Sequence, residues 1–296
     1  MNDPQRVMFD VAGDQVVGHL HLPVGGETYA GIVVAGPMTS VKEQVTGVYA
    51  AAFATRGIAA LCLDHRHFGE SGGTPRQYEF YRHKIEDLRA GLDALGLHPQ
   101  IDAERLGLVG VCLGAGYAAH AAIDHSKVKA FGAVVGYYRD VRQIRSVDPA
   151  AFDAKVAQGT QARETYEATG DVEMIPAAAL EGDAAMTLRS TYDYYATPRA
   201  GVPNYTNAFA VMSREHFLTF DVQLAAPHIT APTRMVHARS ALSPRSAQQF
   251  YDKLECEKDI HWLEGPDQTA FYDDAMLVGQ AADLLVSHLG KQLGVN

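Results

Sequence analysis

The sequence predicts an α/β protein in which a mostly parallel central sheet is covered by helices on both faces. Apolar segments typical of buried strands alternate with amphipathic segments over the first half of the 296 residues, and the alternation returns near the end. Between them, residues 139–227 contain helical patches but no pattern of a buried strand. We therefore predict a core of residues 1–138 and 228–296. Residues 139–227 are expected to form a helical lid over the carboxyl edge of the sheet, where such sheets bind ligands.

Each element is predicted from its own residues. Continuous apolar or alternating runs, bounded by glycine and proline, predict strands at 7–12, 16–22, 29–35, 58–63, 105–111, 129–137, 233–238 and 259–263. Apolar residues at helical spacing predict helices at 45–56, 78–97, 114–125, 152–168, 184–195, 244–254 and 270–293.

Composition limits the classes of function. The net charge of −10 argues against nucleic acid or an anionic membrane as the main partner, and 47% apolar residues suit a globular enzyme. Three scattered cysteines do not suggest a disulfide framework, and no run approaches the ~20 apolar residues that span a bilayer. We expect a cytoplasmic protein with a small-molecule substrate and no cofactor or metal. A homodimer is left open.

The turn 110–114, Gly-Val-Cys-Leu-Gly, carries the candidate nucleophile, Cys112. Between a strand and a helix, Gly-x-Cys-x-Gly is the thiol counterpart of the turn that presents catalytic serines. The positive end of the following helix is expected to favour the thiolate. The backbone N–H of Leu113 would then face a substrate oxyanion. The loop 36–40 after the first parallel strand is expected to supply the second donor, from Met38 or Thr39, and we choose Met38.

Three groups of residues resemble one branch of the α/β hydrolases. They are 37–44 (PMTSVKEQ), 64–66 with 69–73 and 75–76 (DHR, GESGG, PR), and 110–112 with 114–117 (GVC, GAGY). The branch is similar to dienelactone hydrolases and includes thiohydrolases and polyketide transferases of natural-product pathways. The resemblance extends through 271–273 (FYD). It implies the α/β-hydrolase fold and acyl chemistry through a thioester or ester intermediate at Cys112.

The partners that usually activate such a nucleophile are absent from their expected positions. A histidine base, oriented by an acid, ordinarily accompanies a catalytic cysteine or serine. The acid is expected after the strand 233–238, where the loop contains Arg239 but no carboxylate. The histidine is expected after the last strand, where Gln268 takes its place and cannot act as a base. His237 is the candidate substitute base, although a packed histidine bonded to the backbone accounts for it equally well.

Other polar residues have structural explanations as good as catalytic ones. His65 and His67 follow a strand on the active edge, but we favour a structural role for both. Asp140 and Asp267 are candidates to orient a relocated histidine, although such residues are usually exposed. No histidine spacing indicates a zinc site.

Residues that follow strands, together with the insertion, predict the substrate pocket. Tyr137 and Tyr138 end the fourth parallel strand and are expected to bind substrate, as are Arg239 and Gln268. Arg139 and Arg239 are both candidates to meet an anionic group, with surface ion pairs as the alternative. Aromatic residues and methionines are frequent in the insertion, which favours an apolar substrate.

These observations lead to a hypothesis and two alternatives. The hypothesis is an acyl-transferring or hydrolytic enzyme of specialised metabolism that acts through Cys112 on an apolar ester, thioester or lactone. A thiol tolerates the loss of its base better than a hydroxyl does, but water then lacks a general base for deacylation. Transfer or intramolecular closure is therefore favoured over hydrolysis. The alternatives are a non-hydrolytic cyclase, isomerase or carbon–carbon lyase, and a catalytically dead binding protein.

Overall fold

The computed structural model describes residues 3–295 and has the predicted α/β architecture, with one mostly parallel eight-stranded sheet. The sheet order is β1-β2-β4-β3-β5-β6-β9-β10, in which β1–β2 and β2–β4 are antiparallel and the other pairs parallel. Its strands are β1 Gln5–Val11, β2 Asp14–His21, β3 Tyr29–Ala35, β4 Ala59–Asp64, β5 Ile101–Val111, β6 Val128–Val134, β9 Thr233–Ala238 and β10 Lys258–Leu263.

Helices cover both faces of this sheet. α1 and α10 pack together on one face, and α2 and α3 pack together on the other. The helices are α1 Val45–Ala54, α2 Tyr81–Gly96, α3 Gly114–Ala122, α4 Val141–Val147, α5 Pro149–Thr169, α6 Arg189–Tyr195, α7 Ser213–Thr219, α8 Pro244–Lys253, α9 Ala270–Asp273 and α10 Ala275–Leu293. None of the helices within residues 3–295 combines the length and apolar character needed to cross a membrane.

The core is set by strands that are apolar on both faces. Every residue of β3 and β4 is buried, as their continuous apolar sequences predict. The predicted helix 270–293 is interrupted, because the Asp274 side chain accepts hydrogen bonds from the N–H groups of Met276 and Leu277 and starts a new helix there. Sequence periodicity alone did not indicate this boundary.

The segment between β6 and β9 contains α4 to α7, two 3₁₀ turns (Pro198–Ala200 and Val222–His228) and a small antiparallel pair. The pair consists of β7 Met174–Ile175 and β8 Phe209–Ala210, each too short to leave a sequence pattern. The helix predicted at 184–195 begins only at Arg189. The division of the chain into core and lid stays a prediction.

Candidate active site

Cys112 lies in a sharp turn between β5 and α3. Its φ is +55°, a left-handed conformation that side chains rarely adopt, and only 6% of the residue is exposed. A Cβ on Gly114 would overlap the carbonyl oxygens of Ala35 and Gly36, and one on Gly110 would overlap the backbone of α3. The two glycines therefore allow the end of β5 and the start of α3 to approach closely around Cys112.

A cavity of about 260 Å³ opens over Cys112. Its walls come from the loop after β3, the turn after β5, the segment after β6 and the inserted helices. It is lined by Pro37, Met38, Cys112, Leu113, Tyr137, Arg139, Ile144, Ala185, Met186, Thr187, Leu188, Thr191, Tyr195, Phe217, Leu218, Leu242 and Tyr272. Within residues 3–295, neither a histidine nor a carboxylate lines this cavity. The lining is mostly apolar and aromatic, with one cation, Arg139.

The surroundings of Cys112 include groups that raise the pKa of its thiol and groups that lower it. Burial raises the pKa of the Cys112 thiol, and hydrogen bonds from the Tyr272 hydroxyl, the Leu113 N–H and the Gln268 amide lower it by less. The sequence predicted that the helix terminus would favour the thiolate, but burial is the larger effect. Burial also raises the pKa of Tyr272 well above its ordinary value, so this phenol remains a donor.

The loop after β3 is fixed by a buried ion pair. Thr39 has a φ of +59°, and its N–H donates to the Glu79 carboxylate at 2.9 Å. The same carboxylate accepts from the Tyr117 hydroxyl at 2.5 Å and pairs with Lys84 Nζ at 2.6 Å. The Thr39 N–H is thus engaged by Glu79, whereas Met38 lines the cavity. Met38 as an oxyanion donor stays a prediction.

Gln268 lies beside Cys112 and is held by the backbone on both sides. Its amide Nε2 donates to Val135 O at 2.7 Å, and its Oε1 accepts from Leu242 N–H at 3.0 Å. The amide nitrogen also lies 3.4 Å from the Tyr272 hydroxyl. Gln268 is 2% exposed. The position at which related enzymes carry the histidine base is thus occupied by a neutral amide, as the sequence predicted, and both ends of this amide are hydrogen-bonded.

His237 is fully buried but does not line the cavity. Its Nε2 lies 3.1 Å from Gly136 O, and its Nδ1 accepts from the N–H of Ala238 at 2.9 Å. Burial lowers the pKa of His237, which keeps the ring neutral. Both ring nitrogens are bonded to backbone, which is the structural alternative foreseen from the sequence. The structure does not bring His237 together with Cys112 as a base.

Of the residues predicted to bind substrate, Gln268 lies beside Cys112 as described above, and the others differ in position, as do the two arginines predicted to meet an anionic group. Tyr137 lines the cavity, while Tyr138 is fully buried against Phe250 and lies outside the lining. Arg139 lines the cavity and is buried. Arg239, by contrast, is exposed on the surface, with its guanidinium carbon 4.9 Å from the centre of the Trp262 ring.

Several residues of the site were not found by sequence reasoning. Glu79 precedes α2 and Lys84 lies in its first turn, both far from Cys112 in the chain, and no motif joins them to the loop they support. Tyr195, by contrast, was among the aromatic residues of the insertion expected to suit an apolar substrate, and it lines the cavity with a hydroxyl that has no hydrogen-bond partner within residues 3–295. Tyr272 lay within the stretch 271–273 that carried the family resemblance, which was the only signal for it.

One group of potential metal ligands lies away from the cavity. Ligand atoms of His19, Glu43 and Glu70 lie within 4.8 Å of one another. The buried Lys42 ammonium forms ion pairs with Glu43 at 2.7 Å, with Glu70 at 2.5 Å and with Asp64 at 2.8 Å. The ammonium already supplies the positive charge that these carboxylates need, so the cluster is explained as an ion-pair network.

The chain is similar in sequence and in structure to several known proteins. A family model described as esterase FrsA-like matches residues 4–147. The chain is 33% identical over 276 residues to the uncharacterized protein YcjY of Escherichia coli, covering 90% of this chain and 89% of YcjY. The crystal structure of the hypothetical protein PA2218 of Pseudomonas aeruginosa superposes with a TM-score of 0.83 and 27% identity, covering 97% and 93% of the two chains. A thiohydrolase of Aspergillus aculeatus, aneE, is 35% identical over 119 residues, covering 40% of this chain and 37% of aneE.

Proposed function

Because the chain belongs to the α/β-hydrolase superfamily and to the family of YcjY, we propose that this enzyme transfers acyl groups through Cys112. Its substrate would be an apolar ester, thioester or lactone of specialised metabolism. One observation carries the proposal: Cys112, in a strained turn at the start of α3, lines a mostly apolar cavity. The partial likeness to a protein named thiohydrolase supports a thioester as the acyl donor.

The acylation step follows from the groups around Cys112. The thiol loses its proton to solvent, and the thiolate attacks the carbonyl carbon, so that a carbon–sulfur bond forms and the carbonyl oxygen becomes an oxyanion. The N–H groups of Met38 and Leu113 stabilise this oxyanion. Collapse of the intermediate breaks the bond to the leaving thiol or alcohol, which takes up a proton. His237 has no part in this scheme, because both its ring nitrogens are bonded to backbone.

Deacylation decides which reaction the enzyme favours. Attack by water needs a general base, which typically contributes ~10²–10⁴-fold to the rate. The residue beside Cys112 is an amide, Gln268, and no imidazole or carboxylate lines the cavity within residues 3–295. An amine, a carbon nucleophile or a hydroxyl held next to the acyl group depends less on such a base. We therefore propose transfer or ring closure as the main reaction and hydrolysis as a slow side reaction.

Intact-protein mass spectrometry tests the covalent step. Wild type, Cys112→Ala and Cys256→Ala are each mixed with a panel of acyl N-acetylcysteamine thioesters, and the Cys256→Ala variant serves as the matched control because Cys256 lies outside the cavity. We expect an adduct of one acyl group on wild type and on Cys256→Ala, and none on Cys112→Ala. Adding a small amine should then discharge the adduct faster than water does.

One observation favours a second candidate, a catalyst or binding protein that works without a covalent intermediate. The Cys112 thiol is buried, its pKa is raised, and the cavity around it has no base within residues 3–295. The absence of an acyl adduct on wild type with every thioester would reject the acyl-transfer proposal. Turnover of a lactone or ester by Cys112→Ala would then identify a non-covalent cyclase, isomerase or lyase.

A further inference from the structure

Arg139 is a buried cation in the wall of the cavity. It is 2% exposed, and its guanidinium carbon lies 4.2 Å from the centre of the Phe217 ring and 5.7 Å from that of Tyr137. Of its five N–H donors, one on Nη2 is engaged, by Leu218 O at 3.1 Å, while Nε has no partner within residues 3–295. The aromatic rings fix the plane of the group and leave the other donors for a ligand.

Among residues 3–295, no carboxylate pairs directly with the charge of Arg139. Burial lowers the pKa of Arg139. Asp221, an acidic residue whose charge acts on it, already accepts from the N–H groups of Val141 at 3.2 Å and Gln223 at 2.9 Å. A buried charge without a partner is costly, so such a group is usually paired or functional.

The other buried cations make the contrast clear. Within residues 3–295, each remaining buried lysine or arginine forms an ion pair with a carboxylate: Lys42 with Asp64, Arg66 with Asp87, Lys84 with Glu79 and Arg214 with Asp183. Arg139 differs from these four because it has no carboxylate partner in the part of the chain that the structure describes, and because it lines the cavity over Cys112. An anionic ligand in the cavity would give Arg139 the partner that each of the other buried cations has.

We propose that Arg139 binds a carboxylate at the far end of the acyl substrate, so that the substrate class is thioesters or esters of dicarboxylic half-acids. This inference rests on the proposed acyl transfer at Cys112 and names the substrate of that site. A compact carboxylate matches the planar guanidinium and suits a cavity of about 260 Å³. The remaining apolar lining would contact the methylene chain between the two ends.

The test compares substrates that differ only in this charge. N-acetylcysteamine thioesters of succinic, glutaric and adipic half-acids are paired with their methyl-ester-capped counterparts, and acylation of Cys112 is followed by mass spectrometry. For the best chain length we expect wild type to react about 10- to 100-fold faster with the free carboxylate, the range expected for a charge-assisted hydrogen bond. The optimum length reports the spacing between Cys112 and Arg139.

Variants assign the preference to Arg139. In Arg139→Met the preference for the carboxylate should disappear while the capped thioesters still react, and Arg139→Lys should keep part of it. Arg142→Met is the matched control, because the Arg142 side chain is 86% exposed and should leave the preference unchanged. Equal rates for charged and capped thioesters in wild type, or an unchanged preference in a folded Arg139→Met, would overturn the inference.

A binding measurement separates this inference from the acyl-transfer proposal. Unreactive amides of the same half-acids are titrated calorimetrically into Cys112→Ala and into Cys112→Ala/Arg139→Met. Tighter binding of the free carboxylate that depends on Arg139, without any acylation of wild type, would support the carboxylate site and reject the covalent chemistry. Acylation of wild type without a carboxylate preference in either assay would retain the covalent chemistry and reject the role of Arg139.

Discussion

The groups on the two sides of Cys112 differ in charge. On the side of the loop after β3, the Thr39 N–H is bonded to a carboxylate that belongs to a buried ion pair, Glu79–Lys84. On the side of the loop after β10, the neutral amide of Gln268 is bonded to the backbone of Val135 and Leu242. A charged pair thus holds the loop after β3, while a neutral amide, that of Gln268, occupies the position predicted for the histidine.

This difference separates two tasks that usually occur together in such sites. Stabilising an oxyanion needs fixed N–H donors, and we propose that the Glu79 side holds the loop that supplies one of them. Deprotonating water needs a base, and among residues 3–295 neither a histidine nor a carboxylate lines the cavity on the Gln268 side. A site with the first and without the second is suited to forming an acyl-enzyme and poorly suited to hydrolysing it, in agreement with the transfer chemistry proposed above.

Removing the charged anchor should have the largest effect. Glu79→Ala leaves Lys84 buried without its partner and the Thr39 N–H without an acceptor, and we expect a loss of about 3–5 kcal/mol in the free energy of unfolding. Urea denaturation followed by circular dichroism measures it. Glu86→Ala is the control, since Glu86 is 55% exposed and its pair with Arg66 should contribute less than about 1 kcal/mol. Equal losses in the two variants would show that the Glu79 side is no more rigid than the surface.

Removing the neutral anchor should cost less. Gln268→Ala leaves Val135 O and Leu242 N–H without partners, for an expected loss of about 1–3 kcal/mol. It also removes a donor that lowers the pKa of Cys112, so the pH midpoint of iodoacetamide alkylation should rise. Gln249→Ala, which loses only an exposed hydrogen bond to Gln143, should stay within about 0.5 kcal/mol of wild type with an unchanged midpoint. A midpoint that falls in Gln268→Ala would contradict the assigned direction.

The pH dependence of alkylation tests how burial acts at the sulfur. The pKa of Cys112 is raised above its ordinary value, so at neutral pH the thiol predominates and the thiolate fraction grows with pH. The alkylation rate of Cys112, followed by peptide mass spectrometry, should therefore increase about tenfold per unit between pH 7 and pH 9. A rate that levels off below pH 7 would mean that the pKa of the thiol is lowered, and that the helix terminus outweighs burial.

Replacing the amide by a base should have the smallest effect. Gln268→His restores an imidazole beside Cys112, but residues 239–243 contain no carboxylate to orient it. Because a triad histidine without its acid loses most of its activity, we expect hydrolysis of the acyl-enzyme to rise by less than about tenfold. Deacylation rates from time-resolved mass spectra measure this change, with Gln249→His as the control. A gain of 100-fold or more would show that the missing base is the only barrier to hydrolysis.

The sequence predicted those parts of the site whose cause is local. Glycines at fixed spacing around Cys112 act through the turn they occupy, so the turn could be recognised from five residues. Buried strands were predicted because their apolar runs are continuous. The Glu79–Lys84 pair could not be predicted, since its importance lies in contacting Thr39, forty residues away in the chain. Nothing in a local pattern reports that contact.

Arg139 and Arg239 illustrate the same limit. Each follows the end of a parallel strand, so the sequence made both candidates to meet an anionic group. Their environments depend on what packs over each strand end: inserted residues Phe217 and Leu218 cover Arg139, whereas Trp262 of the neighbouring strand leaves Arg239 exposed. The sequence placed the two arginines on the correct edge but could not show which one the insertion encloses.

The unpaired guanidinium of Arg139 also affects how the ligand-free protein withstands heat. Among residues 3–295 this cation has no counter-ion, which weakens the ligand-free fold, and we expect a ligand that supplies the anion to stabilise the folded state by mass action. The melting temperature therefore reports which organic acids bind, without any measurement of enzyme activity. A library of organic acids screened by thermal shift should rank compounds by how tightly they bind in this cavity.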